Sequence, residues 1–356
     1  MSQIATQSAT IELAPAYVVS RVIRGGWQLA GGHGAIDRAT AIDDLTAAFD
    51  AGIFTYDCAD IYTGVEELYG AFRAGLAQTH GSTAPTRLRM HTKLAPDLDS
   101  LPTISRRDIE NIIDNSLRRL RVDCLDLVQF HWWDYAQPRW LDALHWLGAL
   151  RAKGKLRHIG GTNFDTPHVA AIIEAGIPLL SMQVQYSALD QRPRNGLADF
   201  CAKHNIGLLC YGSVAGGFLS GRWLGAPEPT GPAENRSLTK YKLIIDDFGG
   251  WALFQELLAA LGRIADSHNT DIATIASAYV LAQPGVAAVI VGARNRVHVG
   301  ANAEAADIVL TAQDLAAIKA VTSRASGPLG DTYTLERDRG GRHGSIMKYN
   351  LNAKAS

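Results

Sequence analysis

Ile53-Phe54-Thr55-Tyr56-Asp57 is a short run, rich in aromatic and β-branched side chains, that ends on a carboxylate, and Tyr62 follows it closely. Two later segments have the same build. Leu88-Arg89-Met90-His91-Thr92-Lys93 ends on an amine, and Leu125-Asp126-Leu127-Val128-Gln129-Phe130-His131 ends on an imidazole. Runs of this length and composition read as strands. Parallel and adjacent, they bring Asp57, Tyr62, Lys93 and His131 to one end of a sheet.

Working outward, further strand candidates fall near 19–24, 156–161, 179–185, 206–211 and 287–291, which makes eight. The runs at 125–131, 206–211 and 287–291 are apolar almost throughout, as strands covered on both faces are. Helical patterns fill the gaps near 40–51, 65–77, 139–153, 166–175, 194–204 and 272–282. Ser105 is placed to cap a helix to Arg121 whose Ile109, Ile112, Ile113, Leu117 and Leu120 share a face. Thr311 with Asp314 resembles a capping box. Eight strand–helix units predict an α/β fold, the (β/α)8 TIM barrel, as one domain over 1–356 with its core at about 19–322. An open doubly wound sheet is disfavoured, because no Gly-x-Gly-x-x-Gly follows the first strand. A hairpin around Ile11–Val19 is expected to plug the barrel floor. A long Gly/Pro-rich insertion follows strand seven, roughly Ser213–Gly250, with a helix near Trp251–Ser267, and a polar tail runs over 323–356. Barrel chemistry sits at the C-terminal ends of strands, so insertion and tail are expected to wall or cover the mouth.

Composition narrows the function. Of 356 residues, 47% are apolar and 19% charged, and the formal net charge is −1. No global pull toward nucleic acid or membrane follows. No apolar run approaches the roughly 20 residues that span a bilayer, and Met1–Thr10 lacks a signal pattern. Cys58, Cys124, Cys201 and Cys210 form no CxxC pair and read as reduced thiols. The expectation is a soluble cytoplasmic protein with a small-molecule partner, no metal, and an oligomeric state the sequence leaves open.

Taken singly, each polar strand end has a structural reading: Asp57 as a turn cap, Tyr62 as a half-buried aromatic, Lys93 as a solvated cation, His131 as a core histidine. Together they make a proton-transfer set. A phenol loses its proton near pH 10, and a neighbouring ammonium lowers that value. Lys93 supplies the charge, Asp57 holds Lys93, and His131 orients a substrate oxygen. Trp27, after Gly25-Gly26, and Trp132 and Trp133, after His131, are candidates for an aromatic substrate wall, with rim packing as the equal alternative. Tyr333, Arg342 and His343 of the tail are candidates to reach the same pocket.

Asp57-x-Ala59-x-x-Tyr62 with Gly64 and Glu66, then Lys93, then Asp126-Leu127-x-x-x-His131, resemble in order and spacing the signatures of the aldo-keto reductases, from about Val22 to about Asn302. The resemblance implies a TIM-barrel oxidoreductase that reduces an aldehyde or ketone with hydride from NADPH, or runs the reverse oxidation of an alcohol, with Asp57, Tyr62, Lys93 and His131 catalytic. Gly161-Thr162-Asn163-Phe164 resembles the family's Gly-x-Ser-Asn-Phe. It implies that Thr162, Asn163 and Gln183 hold the nicotinamide carboxamide and that Tyr211 stacks on the ring. Gly26 and Asp57 fall beside that site. Gly212 and Val214 fall on the pyrophosphate loop, where Gly212-Ser213 replaces the usual Ser-Pro. Gly292, Arg294, His298 and Asn302 fall at the adenosine end, with Arg294 reading the 2′-phosphate. Gly292-Ala293-Arg294 stands where many members have Lys-Ser, and His298 and Ala301 also depart from the pattern. These departures weaken NADP(H) over NAD(H). The same resemblance leaves a regulatory alternative: some relatives are cofactor-sensing subunits of potassium channels.

Overall fold

The computed structural model describes residues 9–31, 36–231, 233–293 and 296–352. An antiparallel hairpin, β1 (Thr10–Ala14) and β2 (Tyr17–Ser20), comes first. Eight strands then form a closed parallel barrel: β3 (Val22–Gly25), β4 (Thr55–Asp57), β5 (Arg89–Leu94), β6 (Leu125–Phe130), β7 (Leu156–Thr162), β8 (Ser181–Gln185), β9 (Gly207–Tyr211) and β10 (Val286–Gly292), with β10 closing on β3. This is the (β/α)8 barrel expected, with each of the eight strand candidates in place. The run at 19–24 is divided between β2 and β3. Arg21 makes the break: its guanidinium turns away to donate to the carbonyls of Ala287 (3.2 Å) and Leu281 (2.9 Å) at the foot of β10.

The helices form where side-chain periodicity and caps agree. Arg106–Leu120 begins at a capping box between Ser105 and Asp108 and buries Ile109, Ile113 and Leu120. Ala312–Thr322 begins at the matching Thr311–Asp314 box. Each box satisfies backbone N–H groups that the first helical turn leaves unpaired.

Side chains alternate across each strand, so the lumen is filled in layers. Ile11 and Leu13 of the hairpin pack on an apolar layer of Ile23, Leu127, Leu209, Ala287 and Ile290. Tyr17 Oη lies 3.0 Å from His91 Nε2, so the hairpin covers the floor as expected. Gly207 permits this closeness: a Cβ there would stand 2.9 Å from Leu13 Cδ2. At the opposite end the lumen turns polar, with Asp57, Lys93, Gln129 and Gln183 all buried.

The insertion and the tail hold structure that their composition conceals. Within 213–250 lies a helix, Arg236–Phe248, capped by Asn235 and burying Leu238, Tyr241, Ile244, Ile245 and Phe248. The surrounding Gly and Pro residues mask that period. The tail crosses the mouth as a strap. Asp331 accepts from Thr166 N (2.8 Å), Tyr349 O accepts from Leu98 N (3.0 Å), and Asp97 accepts from Leu351 N (2.9 Å). At its centre, buried Glu336 meets buried Arg192 in two bonds of 2.9 Å, and Arg192 also pairs with Asp190 at 2.7 Å. Among the described residues no helix is long and apolar enough to cross a membrane, and no group of side chains has a metal-binding arrangement.

Burial alone would raise the Glu336 carboxyl, but Arg192 outweighs burial and, with Lys240 assisting, holds it down to about 2. A carboxylate depressed in the folded state stabilises above its unfolded value of 4.5 and loses that contribution as pH falls toward about 2. Glu336→Gln leaves Arg192 without its bidentate partner. It is expected to cost about 3 kcal/mol or more in urea unfolding at neutral pH, a difference that shrinks as both proteins are titrated into acid.

Candidate active site

Asp57 closes β4, and its two carboxylate oxygens divide their partners. Oδ2 lies 2.5 Å from Lys93 Nζ, which also donates to Cys58 O at 2.8 Å. Oδ1 accepts from Gln129 Nε2 (2.7 Å) and Gln183 Nε2 (2.8 Å), and Gln183 Nε2 also reaches Gln129 Oε1 at 2.9 Å. Strand register explains the convergence: Lys93 stands beside Gln129, and Thr162 beside Gln183. Burial works to lower the Lys93 pKa, but Asp57, with Tyr62 and Cys58 assisting, outweighs it and the net direction is upward, so Lys93 is an ammonium.

Tyr62 is set by a turn in which its N–H donates to Ala59 O (3.0 Å). Buried Asp60 braces that turn by accepting from Ile61 N (2.9 Å) and Ala95 N (3.2 Å), and burial with the charge of Glu66 pushes its carboxyl up to about 7. Lys93 Nζ lies 5.1 Å from the centre of the Tyr62 ring, and the Trp27 ring lies 5.1 Å away. The Tyr62 hydroxyl departs from expectation. Burial raises its pKa more than Lys93 lowers it, so the net direction is upward. Loss of hydration at the phenol outweighs the pull of one ammonium that is already paired with Asp57.

His131 follows β6 and donates its backbone N–H to Leu94 O at 2.9 Å. Its Nδ1 lies 3.2 Å from Thr162 O, and a carbonyl only accepts, so Nδ1 carries the hydrogen. Burial and the charge of Arg337 hold its pKa down to about 3. Nε2 is therefore a bare lone pair, buried and without a partner among the described residues. Trp133 meets the imidazole edge-on at 4.1 Å, and Tyr333 of the tail does so at 5.7 Å. Trp132 is not a substrate wall. It is fully buried, its ring lies 5.7 Å from that of Phe130, and its indole N–H donates to Gln137 O. Beyond the end of β6, Trp133 turns onto His131 and Trp132 onto Phe130.

The residues expected at the nicotinamide are gathered together. Asn163 has a left-handed backbone (φ 62°), which asparagine tolerates. Its Oδ1 accepts from Tyr211 Oη at 2.9 Å, which leaves its Nδ2 to donate. Gln183 uses its nitrogen on Asp57 and Gln129, which leaves its Oε1 to accept. One donor and one acceptor match a carboxamide. Thr162 is buried and offers His131 its carbonyl. Gly26 donates its N–H to Asp57 O at 2.8 Å. Gly212 (φ 77°) and half-buried Val214 form the loop after β9; a Cβ on Gly212 would stand 2.3 Å from Tyr241 Oη, which accounts for glycine here. Gly292 closes β10 under the Gln28 amide. His298 is exposed and Asn302 half-buried on the helix Val299–Glu304. Arg294 lies outside the described residues.

Trp133, named with Trp132 as a wall candidate, is the one that faces His131. Two residues the sequence reading did not assign belong here: Gln129 and Arg337. Gln129 is the buried polar residue sharing the alternation of Leu127 and His131, a legible signal. Arg337 donates to the carbonyls of Trp132, Trp133 (2.8 Å) and Asn163 (2.9 Å) and stacks 3.8 Å over Tyr135, and no sequence signal marks it. Of the tail candidates, Tyr333 reaches the site, whereas Arg342 and His343 are tied to Asp247 at 2.6 and 2.7 Å.

The profile of the aldo/keto reductase family matches residues 21–323. The chain belongs to that family. This aldo/keto reductase is 30% identical over 257 residues to flagellar radial spoke protein 5 of Chlamydomonas reinhardtii, a stretch covering 61% of this chain and 47%, about half, of that relative. Among solved structures it resembles the glycerol dehydrogenase of Gluconobacter oxydans, with TM-score 0.75, 24% identity, and 90% of this chain and 98% of that one covered. It also resembles an aldo-keto reductase of Klebsiella pneumoniae in complex with NADPH, with TM-score 0.68, 22% identity and coverage of 90% and 98%. At these identities the structural likeness establishes the shared barrel.

The geometry of His131 gives a direct expectation. Nitrogen-15 NMR should find its imidazole neutral, with the proton on Nδ1, across about pH 5–8, where an unperturbed histidine titrates. A titration step in that window would contradict the buried, Arg337-facing environment.

Proposed function

We propose that this aldo/keto reductase reduces the carbonyl of an aldehyde or ketone, with NADPH as hydride source and Tyr62 as general acid. The observation that carries the reading is the Asp57–Lys93 pair, at 2.5 Å, set beneath the Tyr62 ring and across from the unpartnered Nε2 of His131. A nicotinamide bound at Asn163, Gln183 and Tyr211, with Thr162 beside them, would supply the hydride. Gly26 would border the nicotinamide beside Asp57, Gly212 and Val214 the pyrophosphate, and Gly292, His298, Asn302 and Arg294 the adenosine end.

Tyr62 gives its proton to the oxygen on which negative charge develops. Lys93 stabilises the phenolate that remains, and Asp57 fixes the ammonium and balances its charge. The raised Tyr62 pKa keeps the acid protonated at neutral pH, the form that reduction requires. His131 offers a lone pair, so it accepts from an O–H. This suits a substrate bearing a hydroxyl beside its carbonyl, and it suits the alcohol product. Trp27, Trp133 and Tyr333 wall the space with apolar faces, and the tail above them limits entry of water.

Tyr62→Phe is expected to lower turnover on the order of 10²–10⁴-fold while NADPH affinity changes little. Unchanged turnover, followed by nicotinamide absorbance over a panel of aldehydes, ketones and hydroxyketones, would remove Tyr62 from its role. In the wild type the reduction rate should fall only on the alkaline side, as pH rises through the elevated phenol pKa; a loss of rate centred near neutrality would count against this acid. Arg294→Ala should weaken NADPH far more than NADH, and parallel weakening would mean that Arg294 does not read the 2′-phosphate.

A further inference from the structure

Asp57 and the two glutamines above it form a closed ring of hydrogen bonds. An ionised carboxylate only accepts, so each amide touching Oδ1 turns its nitrogen toward it. Gln129 Nε2 donates to Asp57 Oδ1 at 2.7 Å, which fixes Gln129 Oε1 on the other side. That oxygen accepts one hydrogen of Gln183 Nε2 at 2.9 Å, and the second returns to Asp57 Oδ1 at 2.8 Å. Turning the Gln183 amide over would set its oxygen against a carboxylate oxygen and an amide oxygen together. Gln129 is wholly buried, in register with Gly160 of the neighbouring strand. Gln183 Oε1, by contrast, accepts no hydrogen bond from any described residue.

We propose that Gln129 is a positioning residue that locks the Gln183 amide with its oxygen toward the nicotinamide, so that the site reads the N–H of the carboxamide, and that it joins this clamp to the Asp57–Lys93 pair through a shared carboxylate oxygen. The inference rests on the proposed reading of Gln183 as a carboxamide ligand. Asn163 completes the clamp from the other side, because the Tyr211 hydroxyl occupies its oxygen and leaves its N–H₂ for the carboxamide oxygen. A ligand with a methyl ketone in place of the carboxamide keeps the Asn163 bond and loses the Gln183 bond.

The test is calorimetric binding of NADP⁺ and of its 3-acetylpyridine analogue to the full chain, with no turnover involved. The wild type should prefer the carboxamide by about tenfold, the scale of one hydrogen bond left unmade. Gln129→Leu removes one of the two acceptors that orient Gln183 and leaves Asp57 Oδ1 as the other. It should weaken NADP⁺ about threefold and leave the acetyl analogue nearly unchanged, so the preference narrows. Gln129→Glu keeps the shape and, neutral or ionised, an oxygen that accepts from Gln183, so the preference should survive in it. Equal weakening of both ligands in Gln129→Leu, or a preference lost in Gln129→Glu, overturns the positioning role and leaves general support of the pocket. Circular dichroism of each variant checks folding, and Gln129→Met, which keeps the side-chain length without an acceptor, takes the place of the leucine variant if that one does not fold. A wild type that binds neither ligand overturns the cofactor reading itself, an outcome distinct from loss of selectivity in the variants.

Discussion

Asp57 is the charge on which the mouth of this barrel depends. It is nearly fully buried, and a carboxylate in such a place is costly unless each oxygen is satisfied. One oxygen takes the Lys93 ammonium, and the other takes two amide nitrogens. Remove that charge and Lys93 is an unpaired buried cation, the Gln183 amide has no fixed orientation, and Tyr62 faces an ammonium held in place only by Cys58 O. Four strands, β4, β5, β6 and β8, supply the members of the set. Barrel closure is thus what makes a polar layer possible above an apolar one.

A second buried charge network does for the roof what Asp57 does for the floor of the site. Asp190, Arg192, Glu336 and Lys240 bring two negative and two positive groups together beside Tyr211 and Tyr333. Arg337, the next residue of the tail, holds the carbonyls of Trp133 and Asn163, neighbours of His131 and members of the nicotinamide clamp. The tail is therefore built into the site it covers. Position at the mouth and chemistry at the mouth are coupled through one short helix, Thr334–Arg337.

The two proton-bearing rings show how environment overrides residue type. Tyr62 was expected to be made more acidic by Lys93, but dehydration acts on the phenol while Asp57 already neutralises most of the ammonium's field. His131 was expected to orient a substrate oxygen. The Thr162 carbonyl decides how, by taking the Nδ1 hydrogen and leaving a lone pair rather than a donor. Neither outcome depends on the motif; both depend on what the neighbouring strand places a few ångströms away.

Strand count, helix caps and the catalytic residue types were legible because they are local. Alternating apolar runs, Ser105 with Asp108, and Thr311 with Asp314 carry their structural meaning within a few residues; Asp57 ends β4, and Lys93 and His131 lie within one residue of the ends of β5 and β6. Gln129 was legible in principle from alternation alone. The helix Arg236–Phe248 was hidden by the glycines and prolines around it, and of the pair Trp132 and Trp133 only contacts made elsewhere decide that the first packs on Phe130 and the second on His131. Tail order, the Arg192–Glu336 pair and the grip of Arg337 join residues more than a hundred positions apart, and no local pattern encodes such pairs. The sequence by itself determined the barrel and the chemical identity of its mouth, since periodicity and strand-end residues are short-range properties. Only the tertiary structure decided which groups are dry, which amide face is presented and what covers the opening, because burial and hydrogen-bond partnership exist only once distant segments have met.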